Sequence, residues 1–390
     1  MYKTIFVLFM LGGRVLAQDA GKLHGRAIVV DSHNDILTAC MEKHLSMDKD
    51  LRGKTQSDLA RFKQGGVDLQ FFSIWCDGNK ADPFAWANRE MDTLYAVAER
   101  NHDKLLIVKN PAQLQEAIRL KRVAAMFGVE GGHMIENDVH KLEQLYERGM
   151  RYLTLTWNNS NAWATSAMDE TNKADSLGKT HKGLTDAGKQ IIRRMNELGV
   201  MVDVSHVGEQ TFRDALAVTT KPVIASHSNA YSLCPVFRNL KDDQIRAIGR
   251  NGGVIQLNFY SGFVDSSFKT KERAFVARHR TEIDSLTKTG MQYEYAVTTI
   301  SDTYSSEVTA ARPPMGMLLD HLDYIVQLAG VDHVGLGSDF DGINSSPQQL
   351  DDVTSYPLIT KALLERGYSK RDVKKIMGGN FLRVLKANQP

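Results

Sequence analysis

The chain has 390 residues, 42% hydrophobic and 24% charged, the proportions of a folded globular protein. That length allows one large α/β domain or two to three smaller ones, and a core that needs no disulfide or structural metal. A net charge of +2, from 48 basic and 46 acidic residues, argues against a nucleic-acid binder, and three scattered cysteines (Cys40, Cys76, Cys234) argue against a disulfide framework or a Cys-rich zinc module.

The chain opens with Lys3, an apolar run over residues 5–12, and Val15 and Ala17 at the spacing of a cleavage site. Residues 1–17 read as a signal peptide cut before Gln18, which implies a secreted or periplasmic protein. The run is too short to span a bilayer. No cysteine follows it to carry a lipid anchor, and no later stretch approaches transmembrane length. Losing residues 1–17 removes Lys3 and Arg14 and leaves 46 basic and 46 acidic residues, a neutral chain with nothing overall to draw it to anionic membranes.

Eight short, β-branched, nearly all-apolar runs follow, at 27–31, 67–75, 123–129, 152–157, 200–204, 222–225, 253–260 and 334–337. Continuous apolar runs of this length suit strands buried on both faces, as in a parallel sheet. Between them lie amphipathic helical patterns at 112–120, 142–147, 188–198, 242–250 and 317–328. Eightfold strand–helix alternation predicts a (β/α)8 TIM barrel, for which about 250 residues is typical. The excess falls in the leader, a C-terminal helical tail and an inserted segment at about 261–314, which reads as a helical excursion over the barrel mouth. Residues 18–390 are expected to form one domain.

Chemistry in such barrels gathers at the C-terminal strand ends. The first run ends in Asp31-Ser32-His33-Asn34-Asp35 and the third in Glu130-Gly131-Gly132-His133. The fifth ends in Ser205-His206, the sixth in Ser226-His227 and the eighth in Ser338-Asp339-Phe340-Asp341. Five coincident strand ends would bury ionisable groups without partners unless a cation joined them. The spacing suits two ions: His33 with Asp35 for one, His206 with His227 for the other, and the two oxygens of Glu130 as a bridge. Imidazole with carboxylate favours zinc. Two such ions about 3.5–4 Å apart can share a hydroxide and clamp a tetrahedral intermediate. Arg238, on the loop after the sixth strand, suits bidentate carboxylate capture. Asp341, His133 and Asp203 read as supporting residues, Trp157 and Trp163 as pocket candidates, Trp75 as barrel packing, and His321 and Asp323 as helix or surface positions.

At these residues the sequence resembles the membrane (renal-type) dipeptidases, zinc enzymes of the amidohydrolase-like barrels. The resemblance runs from about residue 27 to the C-terminus. It rests on the ordered set DSHND (31–35), GGVDLQFFSIW (65–75), GVEGGH (128–133), RYLTLTW (151–157), VDVSH (202–206), PVIASHS (222–228), RNL (238–240), NFY (258–260), VGLGSDFDG (334–342) and GGNFLRVL (378–385). It implies two Zn2+ per chain, held by His33 and Asp35, by His206 and His227, and by Glu130 between them. It further implies that Arg238 holds the substrate carboxylate, that Asp339 meets the amine end and moves the proton, and that Tyr260 is a pocket tyrosine. Trp157 departs from the pattern: renal-type members carry a carbonyl-contacting His there, and an indole cannot take up a proton.

The expected function is a secreted binuclear zinc dipeptidase working through a metal-bridging hydroxide, with Asp339 and Glu130 at the chemistry and Arg238, Asp339, Tyr260 and Trp157 around the substrate. The alternative, motivated by Trp157, keeps the metals and changes the bond to an N-acyl amino acid, a lactone or a phosphoester. The expected partner is a dipeptide, with no nucleic acid and no membrane span. A homodimer is one assembly the resemblance allows, although the three cysteines offer no evident bridge for a disulfide-linked one.

Overall fold

A computed structural model describes residues 19–389 apart from Lys179 and Gln292, so the leader at 1–17 lies outside the described residues. The apolar runs form β1 (Val29–Asn34), β2 (Val67–Ile74), β4 (Val123–Glu130), β5 (Met150–Thr154), β6 (Met201–Asp203), β7 (Ile224–Ala225), β8 (Val254–Leu257) and β9 (Val334–Leu336). These pair in parallel in the order β1-β2-β4-β5-β6-β7-β8-β9. The ends meet through the Asn34–Phe340 bridge: the Asp35 N–H donates to Phe340 O at 2.9 Å and the Asp339 N–H to His33 O at 3.1 Å. The result is the (β/α)8 barrel that the alternation predicts.

One strand was not legible in the sequence. β3 (Leu105–Ile107) pairs with the first half of β4, from Val123 to Ala125, below the stretch from Phe127 onward that β5 occupies. Its three residues are too few to show a period.

The predicted helices form, extended to their capping residues. Asn110 accepts from the Gln113 N–H before Pro111–Arg119, and Thr185 accepts from the Gly188 N–H before Asp186–Leu198. Each such cap satisfies one of the backbone donors left free at a helix start. Strand residues alternate between two cores. One packs residues such as Phe72, Phe127, Leu153 and Val202 against the surrounding helices. The other joins Val30, Phe71, Met126, Tyr152, Met201, Ile224 and Val254 to Phe381, Val384 and Leu385 of the C-terminal helix Asn380–Asn388.

The inserted segment is helical, as expected: Ser261–Val264, Phe268–Arg278, Arg280–Lys288, Tyr293–Thr303 and Ser305–Ala311. It has a small core of its own around Phe275, Ile283, Ala296 and Ile300. The segment leaves from the C-terminal end of β8, the end where the candidate ligands lie.

Candidate metal centre and active site

Glu130 ends β4 with its carboxylate among three imidazoles. Its Oε1 lies 2.9 Å from His206 Nε2 and 3.3 Å from His227 Nε2, and its Oε2 lies 3.5 Å from His33 Nε2. Asp35, the residue before helix Ile36–Glu42, brings Oδ2 to 3.4 Å from His33 Nε2, and Asp339 Oδ1 is 3.9 Å away. Three overlapping groups able to hold an ion result: His33 with Asp35 and Glu130; Glu130 with His206 and His227; His33 with His227 and Asp339. The five predicted ligands and Asp339 are therefore brought to one place.

The outward nitrogens of the imidazoles are all engaged. His33 Nδ1 is 2.8 Å from Tyr152 Oη, whose own proton goes to Ser32 O at 3.0 Å. His227 Nδ1 is 2.8 Å from Ser226 Oγ, which donates to Asp203 Oδ2 at 2.5 Å. His206 Nδ1 is 3.0 Å from Asn158 Oδ1. Since each of these oxygens can accept, the hydrogen-bond network assigns the proton to Nδ1 in all three rings and leaves the Nε2 lone pairs facing inward. His33 Nε2 is buried and, among the described residues, faces the Asp35 and Glu130 carboxylates without a well-formed hydrogen bond. Converging imidazole lone pairs and carboxylate oxygens, with their second atoms fixed by outer hydrogen bonds, fit zinc.

The electrostatics agree. Burial works against charge on Glu130, but His33, His206 and His227 outweigh it and hold its carboxyl well below the ordinary value. Burial, assisted by Arg238, lowers His206 to about 4, and burial with His33 pushes His227 well down. Burial also opposes a proton on His33, yet Tyr152, Glu130 and Asp35 overcome it and raise its pKa well above the usual imidazole range. A cation at this position would take the place of that proton.

Backbone strain marks the same strand ends. His206, Asp339 and Asp341 have φ of 64°, 63° and 69°, in the left-handed region. For side chains other than glycine this costs about 1–3 kcal/mol each and persists where surrounding contacts enforce it. The Asp339 carboxylate is held by Asn258 Nδ2 at 2.7 Å, and Asp341 Oδ1 by the Gln56 N–H at 2.6 Å. Burial raises Asp339 well above the carboxylate range; Asp35 and Glu130 add to it, against an opposing pull from His33. Asp341 is lifted to about 6, also by burial, and stays outside the ion-holding groups.

A cavity of about 550 Å³ opens over these groups, and Arg238, Tyr260, Trp157, Asp35, Glu130 and Asp339 all line it. Arg238 is 5% exposed. Its Nη2 reaches His227 O at 3.3 Å, while Nε and Nη1 have no hydrogen-bond partner among the described residues. The guanidinium lies over the Phe263 ring at 5.3 Å, and burial brings its pKa down only to about 10, so it stays charged at neutral pH. Trp157 meets Trp75 edge to face at 4.9 Å, and both line the cavity, a role the sequence reading withheld from Trp75. Trp163 instead is packed in the core, 1% exposed.

The supporting residues separate from the ligands as expected. His133 Nε2 bonds Cys76 O at 3.0 Å, and Asp203 ties together Ser205, Ser226 and Thr154. His321 is buried between Ala230 N and Val264 O. Sequence reasoning missed Tyr152, Asn158 and Asn258. One signal was present for Tyr152: Gly128 stands opposite it in register, and a Cβ at Gly128 would collide with the tyrosine ring.

A family model described as membrane dipeptidase, peptidase family M19, matches residues 17–390. Solved structures similar to this chain include the "probable dipeptidase PvdM" of Pseudomonas aeruginosa, at 24% identity over 96% of this chain and 99% of that one, TM-score 0.77. The dipeptidase AC, a metallopeptidase of family M19, shares 25% identity over 93% and 98%, TM-score 0.72. A metallopeptidase of Rhodobacter sphaeroides, liganded with a phosphinate mimic of the dipeptide L-Ala-D-Ala, shares 24% identity over 93% and 99%, TM-score 0.72. With the family match running over nearly the whole chain and the ligand cluster at its strand ends, the chain belongs to the membrane dipeptidase family, peptidase family M19, and is a metallo-dipeptidase.

Proposed function

We propose that the enzyme is a secreted binuclear zinc dipeptidase. The observation that carries the two-ion reading is the carboxylate of Glu130, one oxygen directed at His206 and His227 and the other at His33. His33 with Asp35 and His206 with His227 are the two ligand pairs, and Glu130 is shared. Bound zinc would polarise the scissile carbonyl and lower the pKa of the attacking water.

The protein groups divide the remaining work. Arg238 offers two nitrogens, Nε and Nη1, that no described residue engages, in a buried setting suited to the carboxylate of a free dipeptide. Asp339, pinned at Oδ2 by Asn258, keeps Oδ1 toward the cluster. There it takes a proton from the attacking water and delivers it to the leaving amine, a transfer favoured by its raised pKa. Trp157 and Tyr260 shape the cavity walls. Export follows from the leader reading of residues 1–17.

Metal analysis of the purified protein combined with turnover on L,L and L,D dipeptides tests the reading. Two zinc ions per chain and dipeptide hydrolysis are expected, with Glu130→Gln inactive and depleted in metal. One zinc per chain at full activity, or full metal occupancy in Glu130→Gln, would remove the bridge. A metal-replete enzyme inert on dipeptides but active on N-acyl amino acids would overturn the substrate assignment. N-terminal sequencing of exported protein checks cleavage before Gln18.

A further inference from the structure

Residues 19–26 lead into the N-terminal end of β1, and Gly378 lies against Ile28 O and the Val30 side chain. This end of the barrel is opposite the metal cluster, which sits at the C-terminal strand ends. Here a groove of about 640 Å³ is walled by Lys22, Arg26, Lys370, Arg371, Lys374 and Lys375, with Asp19 as the one acidic side chain among the described residues that line it. Lys370 pairs with Asp19 at 3.0 Å, and Lys375 with Asp332 at 2.5 Å and Asp372 at 3.6 Å. Arg26, Arg371 and Lys374 form no ion pair among the described residues, and Lys22 feels Asp19 only at a distance, without a direct contact.

Such a grouping is unfavourable by itself. Lys370 and Lys374 stand one turn apart on the helix Lys370–Lys374, so like charges are neighbours on that wall, and Lys22 and Arg26 face the same groove. The unevenness is not a consequence of composition, because the whole chain carries only +2. Concentrated positive charge in a concave site raises the local concentration of anions. The donor types narrow the class: two guanidinium forks suit phosphate oxygens bidentately, and ammonium groups add point charge. Among the described residues no aromatic side chain lines the groove, so they offer no stacking surface for a nucleobase.

We propose that this groove is a second binding site, remote from catalysis, for an anion carrying two or more phosphate groups. Free polyphosphate and the headgroup of a diphosphate lipid share that chemistry. Calorimetric titration of the full-length, metal-loaded protein with inorganic tripolyphosphate at low salt tests it, beside co-sedimentation with phosphatidylcholine vesicles with and without cardiolipin. Binding is expected to weaken about tenfold for each neutralised cation in Arg371→Gln and Lys374→Gln, and to fade as salt screens it. Dipeptide turnover and melting temperature, unchanged in both variants, report intact folding. The charge reversal Lys22→Glu on the opposite wall should weaken binding too. Tripolyphosphate binding without vesicle retention assigns a soluble anion; cardiolipin-dependent retention assigns the lipid headgroup. Absence of both at low salt overturns the site. So does tripolyphosphate binding equal in wild type and all three variants, the result expected of chelation at the metal centre, or retention on both vesicle types alike without tripolyphosphate binding.

Discussion

His206 Nε2 and His227 Nε2 face each other at 3.0 Å. With Nδ1 of the first on Asn158 and Nδ1 of the second on Ser226, two lone pairs meet across that gap unless a cation or a proton stands between them. Chelation should therefore cost stability as well as activity. A ligand that binds only the folded state stabilises by RT ln(1 + [L]/Kd), about 4 kcal/mol at a thousandfold excess over Kd. Calorimetric melts before and after chelation should show a fall of several degrees, reversed by added zinc. An unchanged melt would mean that the pair is held by a proton instead.

Tyr152→Phe should weaken the metal more than the fold. The phenol oxygen orients His33 from outside the cluster. Loss of such an outer partner lowers metal affinity by about 10–100-fold. Competition with a chelator of known affinity reads this out, and equal affinity in both proteins would assign Tyr152 to packing alone.

Asp339→Asn tests the proposed proton transfer. Asparagine tolerates the left-handed backbone that Asp339 adopts at φ 63°, so the loop need not move. Turnover should drop by about 10²–10⁴-fold, the usual size of a general acid–base contribution. Metal content should largely remain. Unchanged turnover would remove the proton-transfer role.

Arg238→Met should raise KM for free dipeptides strongly and for dipeptide amides far less. A hydrogen bond to a charged group is worth about 1.5–3 kcal/mol, about tenfold to a hundredfold in kcat/KM. The preference for acid over amide should narrow by that factor. Equal losses on both substrates, with a lower melting temperature, would mark the arginine as structural.

Away from the site, Asp58 and Arg61 form an ion pair at 2.6 Å with side chains only 1% and 3% exposed. Burial raises the Asp58 pKa, but the Arg61 and Leu51 N–H groups and the Arg61 guanidinium outweigh it, and the net pKa is lowered. A lowered folded pKa means stability that is present above the unfolded carboxylate value, about 3.9, and lost as the pH falls through the folded one. Asp58→Ala should cost about 3–5 kcal/mol near neutral pH, as for other buried pairs broken on one side. The difference from wild type should shrink in acid below that value. Denaturant melts at the two pH values measure it, and a gap independent of pH would assign the loss to the helix cap alone.

Much of the site was legible because a parallel barrel places the C-terminal ends of its strands on one rim. His33, Glu130, His206, His227 and Asp339 each follow an apolar run, so the period of the strands alone predicts that they meet. The partners that hold them in place were not legible. Tyr152 reads as one more apolar strand residue, and its approach to His33 depends on Gly128 on the adjoining strand, 24 positions earlier in sequence. Asn258 meets Asp339 only because β8 and β9 pair.

By itself the sequence determined the strand–helix alternation, the burial of the apolar runs and the residue types at the rim, since these follow from local periodicity and the cost of burying unpaired charge. Tertiary structure alone decided the tautomers of the three imidazoles, the left-handed backbone at His206 and Asp339, and the gathering of Lys22 and Arg26 with Arg371 and Lys374 from opposite ends of a nearly neutral chain. The physical reason is the same in each case. Hydrogen bonds, strain and like-charge contacts depend on distances between residues far apart in sequence, and only chain closure sets those distances.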